Sequence, residues 1–137
     1  MKIEILSRWM AEDAGYMARY LTEPYIWISI GQPEDKRETS PAQNKWCRGV
    51  CRLQFHDIKT PVENLMFFNE THAKIILDFV KSHKNEISLI CVHCEAGISR
   101  SAAVAMALDL WLNHDFHRFV PNMHVVSVIL KHLSKTT

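Results

Sequence analysis

Residues 89–101, Leu-Ile-Cys-Val-His-Cys-Glu-Ala-Gly-Ile-Ser-Arg-Ser, constrain this chain more than any other stretch. An apolar run over 87–92 leads into His93-Cys94, Gly97 marks a short loop, and Arg100-Ser101 open an Ala-rich helical pattern. A cysteine six positions before an arginine, on a loop between strand and helix, makes a site for a phosphate dianion. The N–H groups of Glu95, Ala96, Gly97, Ile98, Ser99 and Arg100 converge with the helix N-terminus on one anion. Arg100 can clamp two phosphate oxygens at once. The same positive surroundings lower the thiol pKa of Cys94 from about 8.5 into the range of roughly 3.5 to 7.5. At neutral pH the side chain is then a thiolate, already a nucleophile.

His93-Cys94-x5-Arg100-Ser101 resembles the signature of the cysteine-dependent protein tyrosine phosphatases. Glu95-Ala96-Gly97-Ile98-Ser99 is most similar to the loop of the compact dual-specificity branch. The resemblance implies that Cys94 attacks phosphorus and that Arg100 and the loop N–H groups hold the phosphate. It also implies that Ser101 donates to the sulfur and helps it leave in the second step.

The 137 residues suit one domain spanning 1–137, large enough to bury a core without staples. A net charge of +1 points away from nucleic acid and from anionic membrane as partners, so any positive potential at the site is local. No apolar run approaches the roughly 20 residues of a membrane-spanning helix, and 1–6 lack the long apolar core of a signal peptide. A cytoplasmic protein with reduced cysteines is the expectation. Cys91 and Cys94 form a Cys-x-x-Cys pair, and Cys47 and Cys51 suggest the other half of a zinc site. Strand alternation argues against it, because residues three apart face opposite sides. Neither metal nor cofactor is expected. A neighbouring cysteine forming a reversible disulfide with an oxidised Cys94 is a secondary expectation.

Along the chain, 2–6 alternate as a short strand, and Ser7 caps a helix carrying Met10, Ala14, Met17 and Leu21 on one face. Residues 25–30 read as a buried strand, and 31–45 as a long polar loop in which solvation outweighs a role for Lys36 or Arg37 at a substrate rim. Residues 50–57 alternate as a strand with Cys51, Leu53 and Phe55 on one face. Thr60-Pro61-Val62-Glu63 reads as a capping box, so the next helix starts there or at Asn69. Strand 87–93 and helix 99–113 follow, then a connector over 114–119 and a last helix capped by Asn122 after Pro121. Strands alternating with helices predict an α/β three-layer sandwich, a largely parallel central sheet with helices on both faces.

The leaving oxygen of a phosphate ester needs a proton, hence a general acid from elsewhere in the fold. Asp57 is the candidate: it follows a strand and precedes Cys94 by 37 positions, similar to compact family members. Asp35, His56 and Asp109 are its rivals. His93 is expected to order the loop through hydrogen bonds to backbone, and Asn122 to serve as a cap rather than in the site. Glu95 is acidic, and no lysine lies between Cys94 and Arg100. Compared with phosphoinositide and RNA 5′-triphosphatase relatives, the loop therefore favours a phosphorylated protein as substrate: phosphotyrosine, with phosphoserine and phosphothreonine as further candidates. The alternatives are a phosphoprotein-binding module with little turnover, or catalysis on a phosphoinositide or an RNA 5′-phosphate.

Overall fold

Strands that run parallel bring all their C-terminal ends to one edge of a sheet, where ligands of open α/β sheets bind. The computed structural model, which describes residues 1–115 and 122–136, has that arrangement. Its elements are β1 (Lys2–Ser7), α1 (Arg8–Glu12), α2 (Ala14–Met17), β2 (Tyr25–Gly31), β3 (Cys47–Gln54), α3 (Glu70–His83), β4 (Leu89–Cys94), α4 (Arg100–Asn113) and α5 (Met123–Thr136). The four strands are ordered β1-β4-β2-β3 and every pairing is parallel. β4, which ends in Cys94, therefore lies inside the sheet between β1 and β2.

Period-two alternation assigns the two faces. Ile90, Val92 and Cys94, with Ile26, Ile28, Ile30, Cys51, Leu53 and Phe55, join the larger core against α3, α4 and α5. Leu89, Cys91, Tyr25 and Trp27 join a smaller core that includes Leu6, Ala11 and Met17 of β1, α1 and α2. The predicted sandwich is thus present, with helices on both faces. α4 is buried along its length from Arg100 to Asp109, and its alanines let it lie close to β4 and β1 while α5 covers it. Among the described residues, no helix is long and apolar enough to cross a membrane.

Several local expectations differ from the structure. The first helix breaks at Asp13, whose extended backbone (φ −90°, ψ 101°) and carboxylate, accepting from Tyr16 N at 3.0 Å, start a second short helix. Asp competes for the helix's own N–H groups, so mid-pattern it works as a cap. No helix begins at Thr60. Val62, Leu65 and Met66 have helical spacing but remain exposed, so a helix there would bury none of its apolar face. Asn69 starts α3 instead: its Oδ1 accepts from Thr71 N (2.9 Å) while His72 Nδ1 accepts from Asn69 N (3.0 Å).

The polar stretch 31–45 is a largely exposed crossover loop, as expected, but it is tied down on α1 and β2. Arg8 Nη1 donates to Asp35 at 3.1 Å, Ala42 N donates to Ala11 O at 2.8 Å, and Trp27 Nε1 reaches Ala42 O at 2.7 Å. Of the connector predicted at 114–119, only His114 and Asp115 belong to the described residues. Pro121 also lies outside them.

Candidate functional site

The ends of the four parallel strands supply the parts. β1 runs into Arg8, β2 ends at Gly31, β3 leads to Phe55 and Asp57, and β4 ends at Cys94. Cys94 sits at the base of the 94–100 loop, only 3% exposed. Its Sγ lies 3.2 Å from Ser101 Oγ and accepts from Gly97 N at 3.3 Å. Burial opposes ionisation of this thiol. Hydrogen bonds from the Ser101 hydroxyl and from the Ser101 and Gly97 N–H groups, with the nearby Arg100 charge, outweigh it and hold the pKa below its ordinary value.

Gly97 gives the loop its curl. Its φ of +74° belongs to the left-handed region, and a Cβ there would stand 2.8 Å from the backbone of Leu6 and Ser7. The loop is gripped from below as well: Arg8 N donates to Glu95 O at 3.1 Å, and the Arg8 guanidinium lies 3.7 Å from the Glu95 carboxylate. Glu95 therefore faces a cation on α1.

Arg100 is buried, and its hydrogen bonds to described residues all run through Nη1. They reach Phe55 O (2.9 Å), Gly31 O (3.4 Å) and Gln32 Oε1 (3.4 Å). These acceptors orient the fork and leave Nε and Nη2 for a ligand, the geometry a bidentate anion contact needs. Two of the acceptors are backbone carbonyls, which no residue pattern announces.

His93 faces the opposite side of the sheet from Cys94. Its Nδ1 is 3.3 Å from Cys94 O, consistent with the expected ordering of the loop backbone, and its Nε2 is 2.6 Å from Ser29 Oγ. Ser29 in turn bonds Thr39 of the crossover loop. Burial drives the His93 pKa down from 6.5 to about 4. Between those values the unfolded chain binds more protons than the folded one. The stability from keeping the ring neutral is thus complete above pH 6.5 and is lost as pH falls towards 4. The unfolding free energy from urea titrations should fall by up to about 3 kcal/mol as pH drops across this window, and less steeply in His93→Gln. Parallel curves for the two proteins would mean the ring is not held neutral.

Asp57 lies just beyond β3 and is exposed; Phe55 turns away from it into the core. Its Oδ1 accepts from Ser99 Oγ and from Asn122 Nδ2, both at 2.9 Å. The structure thus ties the candidate acid to the loop between β4 and α4. It places the rivals elsewhere. Asp35 accepts from Arg8 and from Gln32 N, and His56 bonds Glu34 (2.7 Å) and Met66 N (2.7 Å). Asp109 is buried in α4 and accepts from Asn113 at 2.9 Å. Asn122 does more than cap: it is fully buried, and its amide contacts both Asp57 and α5.

Beside the loop, Arg8, Trp9, Glu12, Asp35, Lys36, Arg37 and Glu95 line an open groove of about 440 Å³, in which Trp9 is 69% exposed. The cysteines do not gather. Cys91 belongs to the other face of the sheet, and Cys51 lies on β3, with β2 between it and β4. Strands two apart are separated by about 9.5 Å, beyond the roughly 7 Å that a disulfide tolerates. The expected cross-link to Cys94 is therefore out of reach without backbone movement. Among the described residues, no group of three or more His, Cys, Asp or Glu side chains could hold a metal.

No protein-family model matches the chain, and no curated protein matches it in sequence. Solved structures do. Human tyrosine phosphatase-like serine/threonine/tyrosine-interacting protein superposes with a TM-score of 0.68 at 16% identity, over 98% of this chain and 92% of that one. Human DUSP28 gives 0.65 at 15% identity, over 98% and 95%. The fold is that of the dual-specificity-like phosphatases. The phosphatase domain of Yvh1 from Chaetomium thermophilum also matches, with a TM-score of 0.52 at 19% identity over 97% of this chain and 77% of that one. In this chain Cys94 ends β4 and Arg100 opens α4, with residues 95–99 as the loop between them.

Proposed function

We propose that residues 1–137 form a single dual-specificity phosphatase-like catalytic domain that hydrolyses phosphotyrosine in proteins through a phosphocysteine intermediate. The observation that carries this reading is the environment of Cys94 Sγ. Hydroxyl and amide donors favour its thiolate, and beside it stands an arginine fork whose Nε and Nη2 bond no described residue. A binding pocket needs the donors and the arginine but has no use for an activated thiol. Cys94 attacks phosphorus and the bond to the leaving oxygen breaks, while Arg100 and the loop N–H groups hold the remaining oxygens. Asp57 protonates the leaving group, and later takes a proton from the water that displaces the sulfur. Ser101, already at the sulfur, stabilises the departing thiolate. Lys36, Arg37 and Trp9 in the neighbouring groove suit contact with the protein around the phosphorylated residue. Phosphoserine and phosphothreonine are further substrates on this reading, and the compartment is the cytoplasm.

One observation favours a second reading. The fold is shared with a human protein whose name describes a phosphatase-like interacting protein, so binding of phosphoproteins with little turnover is the alternative. The wild-type chain, incubated with phosphopeptides, a phosphoinositide and a 5′-triphosphorylated RNA, should release phosphate fastest from phosphotyrosine peptides. Saturable phosphopeptide binding without phosphate release would transfer the conclusion to the binding module. Faster release from lipid or RNA would replace the substrate class.

A further inference from the structure

A carboxylic acid that must donate a proton has two oxygens, and only one of them can carry it. Resting on the phosphatase reading, the geometry assigns Asn122 as a positioning residue that, with Ser99, fixes the Asp57 carboxyl so that Oδ2 carries the transferable proton.

Asn122 is wholly enclosed (0% exposed), and both ends of its amide are committed. Nδ2 donates to Asp57 Oδ1 (2.9 Å) and to Ile58 O (3.1 Å), while Oδ1 accepts from Val125 N in the first turn of α5 (3.4 Å). The opposite amide orientation would set oxygen against Ile58 O and NH₂ against Val125 N–H, so the flip is excluded by chemistry. Asn122 therefore presents a donor to Asp57. Ser99 Oγ presents a second donor to the same Oδ1, from the phosphate loop itself.

A carboxyl oxygen that accepts two hydrogen bonds is the carbonyl-like oxygen of the acid form, which directs the proton to the other oxygen. Oδ2 makes no hydrogen bond to a described residue and stays available to the leaving group. When Oδ2–H gives up its proton, the oxygen–phosphorus bond of the substrate breaks and the new sulfur–phosphorus bond forms. Asp57 becomes a carboxylate whose Oδ1 keeps both donors. In the second step Oδ2 receives a proton from the attacking water as the sulfur–phosphorus bond breaks. The two anchors come from different places, the loop that holds the phosphate and the start of α5. The proton donor is thereby set relative to the nucleophile without a long-range lid.

The test separates positioning from folding. Asn122→Ala and Asn122→Asp should be measured on aryl phosphates whose leaving phenols run from acidic nitrophenols to phenol itself. Asn122→Asp keeps an oxygen to cap α5 but loses the donor to Asp57. Both variants should stay within a few-fold of wild type on the most acidic leaving group and lose about 10- to 100-fold on phenyl phosphate. The plot of log kcat against leaving-group pKa should steepen accordingly. An equal loss on every substrate, or no loss at all, overturns the assignment. Retained turnover in Cys94→Ser would instead sink the phosphatase reading, so the two failures are distinct.

Discussion

Replacing Cys94 by serine should leave less than about 1% of wild-type turnover on any phosphate ester. The donors around Sγ are matched to a thiol, which burial opposes but does not prevent from ionising. A serine hydroxyl starts several pKa units higher, and the same Ser101 and Gly97 hydrogen bonds cannot bring it to an alkoxide near neutral pH. Sulfur is also the better leaving atom in the second step, so a phosphoserine, if formed, would persist. Arg100 and the loop amides are untouched by the substitution, and affinity for phosphopeptides should survive. Phosphate release beside binding measurements reads both quantities, and residual turnover above that level would rule out the covalent route.

Asp57→Ala should lower kcat on phosphotyrosine peptides by roughly 10² to 10⁴. None of its rivals takes its place near Oδ1's anchors. Asp35 is held by Arg8, Asp109 is buried in α4, and the ring of His56 is shared between Glu34 and Met66. Truncation also leaves Ser99 Oγ and the buried Asn122 amide without their shared acceptor. Asn122 Nδ2 keeps its bond to Ile58 O and Ser99 is only partly buried, so a modest stability loss, on the order of 1 kcal/mol for the lost hydrogen bonds, should accompany the kinetic effect. Denaturant titration separates the two. A kinetic loss smaller than tenfold would move the general acid to another residue.

Much of this was legible in the sequence because local pattern and global packing agree there. The apolar run before Cys94 fits only a strand buried on both faces, and Gly97 and Arg100 follow at loop spacing, so strand, loop and helix were readable together. The anchoring of loop 31–45 was not. Its residues are largely exposed, as a solvated loop's would be, yet it is held to α1 through tertiary contacts such as Arg8–Asp35 and Ala42–Ala11. Asn122 was legible as a cap because that role is local, whereas its bond to Asp57 crosses to a distant part of the chain. Gly31 O and Phe55 O, which aim Arg100, carry no side-chain signal at all. At Thr60 the capping pattern is genuine and Val62, Leu65 and Met66 follow at helical spacing, but no part of the core covers them, so a helix there gains no burial.

The parallel strand order has a kinetic consequence. Lys2 pairs with Leu89, and Tyr25 with the same residue from the other side, so β4 cannot join the sheet through any hairpin. Such pairings require large loops to close before contacts reward them, which makes folding slow relative to helical proteins of this size. Because β4 ends in Cys94, the proposed nucleophile, a partly folded chain that has formed only local helices does not yet assemble the site around it. Regain of turnover after refolding should therefore lag behind regain of helix and coincide with completion of the sheet.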